Sequence, residues 1–144
     1  WADGNPDNED RRRLAVTLDK DGKIEVAKKG DKILGIISAR ASVIGNNPDH
    51  WHKKYKTDRF GEHLMADGVF LYDENYDHEQ VYELRSERKE WGTVGLLGQI
   101  YILDDGTCEV GEGISITDNG TATKGDDYVV VERIDESLVS VMFK

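Results

Sequence analysis

The sequence predicts a mainly β fold: a compact sandwich or small barrel with a long irregular central insertion and at most short helices. Three observations predict it. Short apolar runs of period two recur towards both ends of the chain, the spacing of strands with one buried face. Turn dipeptides separate them, and glycine outnumbers proline 15 to 2 in the 144 residues. That balance suits tight turns between short strands rather than a linker. Over about 46–91 neither period two nor period 3.6 holds. We read one domain over 1–144, with that stretch as an insertion whose length points to a functional or interface role.

The first ten residues are turn chemistry, with Asp-Gly at 3–4 and Asn-Pro at 5–6. Arg11, Arg12 and Arg13 follow Asp3, Asp7, Glu9 and Asp10; they read as local charge balance rather than as an anion site. Leu14 to Leu18 alternates as a half-buried strand, and Asp19-Lys20-Asp21-Gly22 turns it into a second strand at Ile24 to Ala27. Ile33 to Ser38 is apolar on both faces and reads as a buried strand. Gly35 within it marks a bulge or a close backbone approach. Inside the insertion, a short strand is expected near Val69 to Tyr72. At 77–90, Glu83/Glu87 and Arg85/Lys89 are like-charge pairs four apart, which oppose a helix. That segment reads as extended or irregular, with room for a short helix. Thr93 to Leu103 is one long strand or two joined at a glycine. Asp104 to Thr107 turns it, and strands are expected at Ile114 to Thr117, Tyr128 to Ile134 and Leu138 to Phe143.

Lys and Arg number 19 against 29 Asp and Glu, a formal charge of −10. This opposes a general nucleic-acid or anionic-membrane binder. A lone Cys108 excludes an intramolecular disulfide and a cysteine-built zinc cage. No apolar run nears the ~18 residues of a membrane span. The chain opens on Trp1 rather than Met, without the basic segment and apolar core of a signal peptide. We expect it to be part of a longer protein.

Self-contained chemistry is sparse. His50 and His52 are two apart and could share a metal with Asp49, Asp58 or His63. Without H-E-x-x-H or a cysteine partner they read as a loop or interface cluster. Cys108 precedes Glu109, which opposes a thiolate, so a small half-buried side chain is expected. G-x-S-x-G, a P-loop and a full calcium loop are all absent from the sequence.

Four stretches, taken in order, carry a resemblance. They are Trp1-Ala2-Asp3-Gly4-Asn5-Pro6 with Glu9-Asp10-Arg11-Arg12, and Gly30-Asp31 with Ile33-Leu34-Gly35-Ile36-Ile37-Ser38. Then come Trp51-His52-Lys53-Lys54-Tyr55 with Thr57-Asp58 and Phe60-Gly61. The last is Glu90-Trp91 with Val94-Gly95-Leu96-Leu97-Gly98 and Asp104-Asp105-Gly106-Thr107-Cys108. From Trp1 to Phe143 the chain resembles the self-cleaving C-terminal domain of pre-neck appendage proteins, the tail spikes of short-tailed Bacillus phages. That family is a glutamic-type self-cleaving peptidase, classed as an autoproteolytic intramolecular chaperone.

The resemblance implies a domain that promotes trimerisation of a spike and is then released by self-cleavage of a peptide bond just upstream of Trp1. It places the chemistry in an acidic segment before Trp1, on an Asp directly after the cut bond and a nearby Glu. No catalytic residue and no metal site are therefore assigned within 1–144, and no cofactor-binding residue is identified. Nucleotide-triggered release accompanies such domains; ATP rests on the resemblance alone, and no cofactor is assigned. The implied partners are the homotrimer and the upstream spike segment of the same chain, with neither nucleic acid nor membrane. The implied location is the host cytoplasm during virion assembly, followed by release from the mature tail spike. Relatives carry prolines between Asp77 and Trp91, where this chain has His78 and Lys89.

Physically, burial at a subunit interface raises a carboxyl pKa, so assembly could prime the acid that hydrolysis needs. Trimer contacts are expected from Trp51, Tyr55, Phe60 and Phe70, since aromatics favour interfaces. Two alternatives are a non-catalytic structural or receptor-binding β module of a phage fibre, and a metal-dependent enzyme built on His50, His52 and an acid.

Overall fold

A computed structural model describes residues 1–45 and 53–144. It divides into two compact units, residues 1–44 with 89–144, and residues 45–88.

The first unit holds two antiparallel sheets. The four-stranded one has β1 (Ala15–Leu18), β2 (Ile24–Val26), β3 (Gly35–Ile37) and β6 (Val94–Gly95) in the order β2-β1-β3-β6. The five-stranded one has β7 (Gly98–Leu103), β8 (Gly113–Ile116), β9 (Ala122–Gly125), β10 (Val129–Asp135) and β11 (Leu138–Phe143) in the order β7-β11-β10-β8-β9. The mainly β expectation holds, and a 3-10 turn at Arg85–Glu87 is the helical element among the described residues. No helix there is long and apolar enough to cross a membrane.

Alternation explains the core. Ile100 and Ile102 of β7, Val139, Val141 and Phe143 of β11, and Val130 of β10 point inwards. They join Ile114, Ile116, Ala122 and Cys108, and from the other sheet Ala15 and Ile36, with Ala27 just past β2, in one buried cluster. Each fully buried Ile or Val contributes roughly 1.5–3 kcal/mol of burial free energy. The five-stranded sheet is pinned by six consecutive β7–β11 pairs, from Leu103↔Leu138 to Gly98↔Phe143. β10 slips twice against β11, around Val130/Glu132 and Arg133/Asp135, and the slips reset which side chains face inwards.

Gly35 is a close approach. A Cβ there would lie 2.4 Å from the Gly95 carbonyl oxygen and 2.6 Å from Val94 Cγ1. The expected Thr93–Leu103 run is two strands in different sheets. β6 ends at Gly95, Leu96 and Leu97 stand exposed, and Gly98, at φ 102°, starts β7. The hairpin turn expected at Asp19–Gly22 joins β1 to β2, with Gly22 at φ 74°. Strand β9 was not anticipated. In its sequence Ala122-Thr123-Lys124-Gly125 only Ala122 is buried, so no apolar alternation announces it.

The second unit has one ladder, β4 (Met65–Ala66) against β5 (Val69–Phe70), with isolated bridges Tyr55↔Tyr72 and Thr57↔His63. Both strands are exposed along their length, so ring packing takes the place of an aliphatic core. Tyr55 stacks on Tyr72 at 5.4 Å, and Tyr72 on Tyr76 at 5.5 Å. His63 sits edge-on to Tyr55 and Phe70, and His78 edge-on to Tyr72 and Tyr76. Each such aromatic pair adds roughly 0.5–1.5 kcal/mol beyond its buried area.

Candidate functional site

The most organised polar cluster lies at the start of the chain. The Trp1 nitrogen donates to the Glu90 carbonyl at 2.6 Å, and the Ala2 N–H donates to the Ile24 carbonyl at 2.8 Å. The Arg11 guanidinium lies 4.8 Å from the centre of the Trp1 ring system. It grips Asp3 with two bonds, Nη1 to Oδ1 at 2.9 Å and Nη2 to Oδ2 at 2.6 Å. It also grips Glu9 Oε2 through Nε at 3.0 Å and Nη2 at 2.8 Å. Such forked, charge-assisted contacts are about twice as strong as neutral hydrogen bonds. Asn5 closes the loop beneath. It is buried, its φ is 47°, and its side chain bonds both the N–H and the carbonyl of Glu9.

The electrostatics follow. The bond to Arg11, helped by the Asn5 N–H, holds the Asp3 carboxyl far below its ordinary range. Arg12 does the same for Asp10, whose pKa falls to about 2. Both are fixed anions at neutral pH and cannot supply a proton to a leaving group. Beside them an open cleft of about 740 Å³ is lined by Asp3, Glu9, Glu25, Asp118 and Arg11 among others. Arg11 is already committed to two of these acids, so the mouth is electronegative. Reading Arg11 and Arg12 as charge balance agrees with this geometry. The stacking on Trp1 and the 89-residue reach from Trp1 to Glu90 left no local signal in the sequence.

A second cluster joins Asp104, Asp105 and Cys108, whose candidate ligand atoms all lie within 4.8 Å of one another. The cationic place beside Asp104 is taken by Arg133, which bonds Asp104 Oδ2 at 2.8 Å and also the Cys108 carbonyl. Oδ2 further accepts the N–H groups of Gly106 and Cys108. Burial pushes the Asp104 pKa up, but the Arg133 bond and the Cys108 N–H outweigh it and leave it lowered. Burial and the neighbouring Asp104 push the Cys108 thiol up to about 12. Through Arg133 the cluster ties the β7–β8 turn to β10.

Asp49, His50, Trp51 and His52 lie outside the described residues. Of the remaining metal candidates, His63 packs on aromatic rings, and Asp58 accepts the N–H groups of Phe60 and Glu62. Of the expected interface aromatics, Phe60 is 75% exposed and Phe70 41%, while Tyr55 is half-buried in the ring stack.

The family described as Peptidase_G2, IMC autoproteolytic cleavage domain, matches residues 1–73 and 67–138. The preneck appendage protein of Bacillus phage PZA is 41% identical over 127 residues, 81% of this chain and 15% of that protein. The pre-neck appendage protein of Bacillus phage phi29 gives the same identity and coverage. The putative phage-related protein YobO of Bacillus subtilis is 31% identical over 125 residues, 78% of this chain and 15% of that protein. The chain thus spans about 15% of the length of these relatives. Two solved structures have 34% sequence identity to it, each covering 92% of the chain. The C-terminal fragment of phi29 gene product 12 has a TM-score of 0.74 over 91% of its own chain. The pre-mature gene product 12 has a TM-score of 0.78 over 19% of its chain. The chain belongs to the Peptidase_G2 family, the autoproteolytic cleavage domains of phage pre-neck appendage proteins.

Proposed function

We propose that this domain is the intramolecular chaperone of a phage tail spike. It promotes trimerisation of the spike and leaves by self-cleavage of a peptide bond just upstream of Trp1. One observation carries the reading. The same fold occurs in a C-terminal fragment of gene product 12 and in about a fifth of its pre-mature chain. A domain that keeps its fold in both settings is suited to act while attached and to depart intact.

The chemistry is hydrolysis. Water adds hydroxyl to the carbonyl carbon and a proton to the leaving nitrogen, and no redox partner or cofactor is invoked. Asp3 and Asp10, held as anions, are unsuited as the acid, and in this reading the reacting carboxyls lie on the upstream segment. Phe60 and Phe70 supply exposed apolar surface for contacts between copies. The partners in this reading are two further copies and the upstream spike segment. Its setting is the host cytoplasm during virion assembly.

The test is to express the longer chain, follow its mass with time and measure its association state. Two products divided just before this domain, formed by an assembled trimer, are expected. A folded trimer that stays intact refutes self-cleavage and leaves a non-catalytic β module.

A further inference from the structure

We infer that Arg11 is a positioning residue for the self-cleavage: it clamps Trp1, and so fixes the direction in which the preceding segment meets the folded domain. The inference rests on the cleavage reading above. Three features make the case from the geometry alone.

First, Arg11 is spent on the approach and not on the core. Its side chain is 13% exposed, and its described partners are the Trp1 ring, Asp3 and Glu9. All lie within the first eleven residues. Second, the approach is anchored from the other side by main-chain bonds, Trp1 to Glu90 and Ala2 to Ile24. Third, the ring itself is boxed in. A Cβ on Gly92 would lie 3.4 Å from Trp1 Cζ2, so the ring sits against bare backbone. Guanidinium on the indole, glycine against it and a backbone bond at the nitrogen together remove most of the freedom of residue 1.

Positioning matters for an intramolecular cut. A carboxyl that must reach a bond a few residues away gains rate only while the geometry is near attack, and an error of ~1 Å can cost ~100-fold. A lysine at position 11 keeps the charge but loses the planar fork, and it cannot hold Asp3 by two bonds and place a guanidinium over Trp1 together.

The test uses the longer, cleaving chain with Arg11→Lys, Trp1→Leu and, as control, Arg12→Lys. Arg12 makes a comparable ion pair with Asp10, but both side chains are more than half exposed. Cleavage half-time, its pH profile, thermal unfolding and association state are measured together. Arg11→Lys is expected to slow cleavage ~10- to 100-fold in chains that assemble and melt like wild type. Arg12→Lys should cut at the wild-type rate. The pH profile should keep its shape and lose only amplitude, because a positioning residue does not titrate.

Equal rates for wild type and Arg11→Lys overturn the inference, as does equal slowing by Arg11→Lys and Arg12→Lys. A slowing matched by a fall in melting temperature also overturns it, since that marks a purely structural role. If Arg11→Lys fails to assemble, Trp1→Leu decides. It removes the stacking but leaves the ion pairs, and unchanged cleavage there overturns the inference. Failure of the wild-type chain to cut refutes the cleavage reading instead, so the two failures are told apart.

Discussion

Gly35→Ala is the sharpest test of how the first unit is built. The new Cβ would lie 2.4 Å from the Gly95 oxygen and 2.6 Å from Val94 Cγ1. Non-bonded carbon contacts settle near ~3.5–4.0 Å, so β6 must retreat by about 1 Å. The retreat strains the pairs Ile36↔Gly95 and Ile37↔Val94 and the adjoining Ser38 N–H to Thr93 carbonyl bond of 2.8 Å. Overpacking costs about 1–3 kcal/mol, and weakened ladder bonds add about 1–2. Restricting the unfolded chain returns about 0.4–1 kcal/mol. The net loss is about 2–4 kcal/mol, which for a slope near ~2 kcal/mol/M lowers the urea midpoint by about 1–2 M. Gly92→Ala is the matched control. Its nearest contact is 3.2 Å, to the free end of Ile24, so the loss should stay under about 1 kcal/mol. Far-UV circular dichroism in urea reads both. A midpoint shift under about 0.3 M for Gly35→Ala, or equal shifts for the two variants, refutes the reasoning.

Three further outcomes follow from the same contacts. Asp104 has its pKa lowered from 3.8, so its contribution is present above that value and is lost as pH falls through the folded one. Asp104→Asn should therefore be less stable than wild type at pH 7, with the gap narrowing below pH ~3.8; a gap that stays constant to pH 3 counts against the Arg133 pairing. With its thiol near 12, Cys108 should label slowly with iodoacetamide at pH 8, because the thiolate fraction is about one part in 10⁴. Labelling should become rapid in urea; fast labelling of the native protein would contradict its burial. Phe60→Ala should weaken association in sedimentation while leaving thermal unfolding unchanged, since that ring is 75% exposed; an unaltered profile removes Phe60 from the interface.

Strands that alternate were legible, because a period of two is a local property of the sequence. β1, β2 and β8 come from such runs, and Gly35 announced its close approach by interrupting a run that is apolar on both faces. β9 did not, because its place is set by backbone proximity. A Cβ on Gly125 would overlap Ser115, so that glycine lets β9 lie against β8, and glycine adds nothing to an apolar count. The sheet switch at Leu96-Leu97 was hidden for the opposite reason. Its two leucines prolong the apolar run while standing in solvent, and the sign of the break was Gly98.

The site divides along the same line. Local charge balance within residues 3–12 could be read from composition, and two of the three arginines satisfy it there. The contacts that turn this balance into a clamp span 89 residues from Trp1 to Glu90, and the second knot spans 29 from Asp104 to Arg133. No periodicity reports such distances. They exist because β6 returns the chain beside β3, bringing Glu90 and Gly92 to the first residues, and because β10 passes the β7–β8 turn. The Gly35–Gly95 contact that seats β6 therefore supports the place where Trp1 is held. If the domain cuts itself, Gly35→Ala should slow cleavage beyond its cost in stability, although Gly35 touches none of the polar groups at Trp1. Cleavage that falls only with the folded fraction would show that β6 and the Trp1 clamp are not coupled.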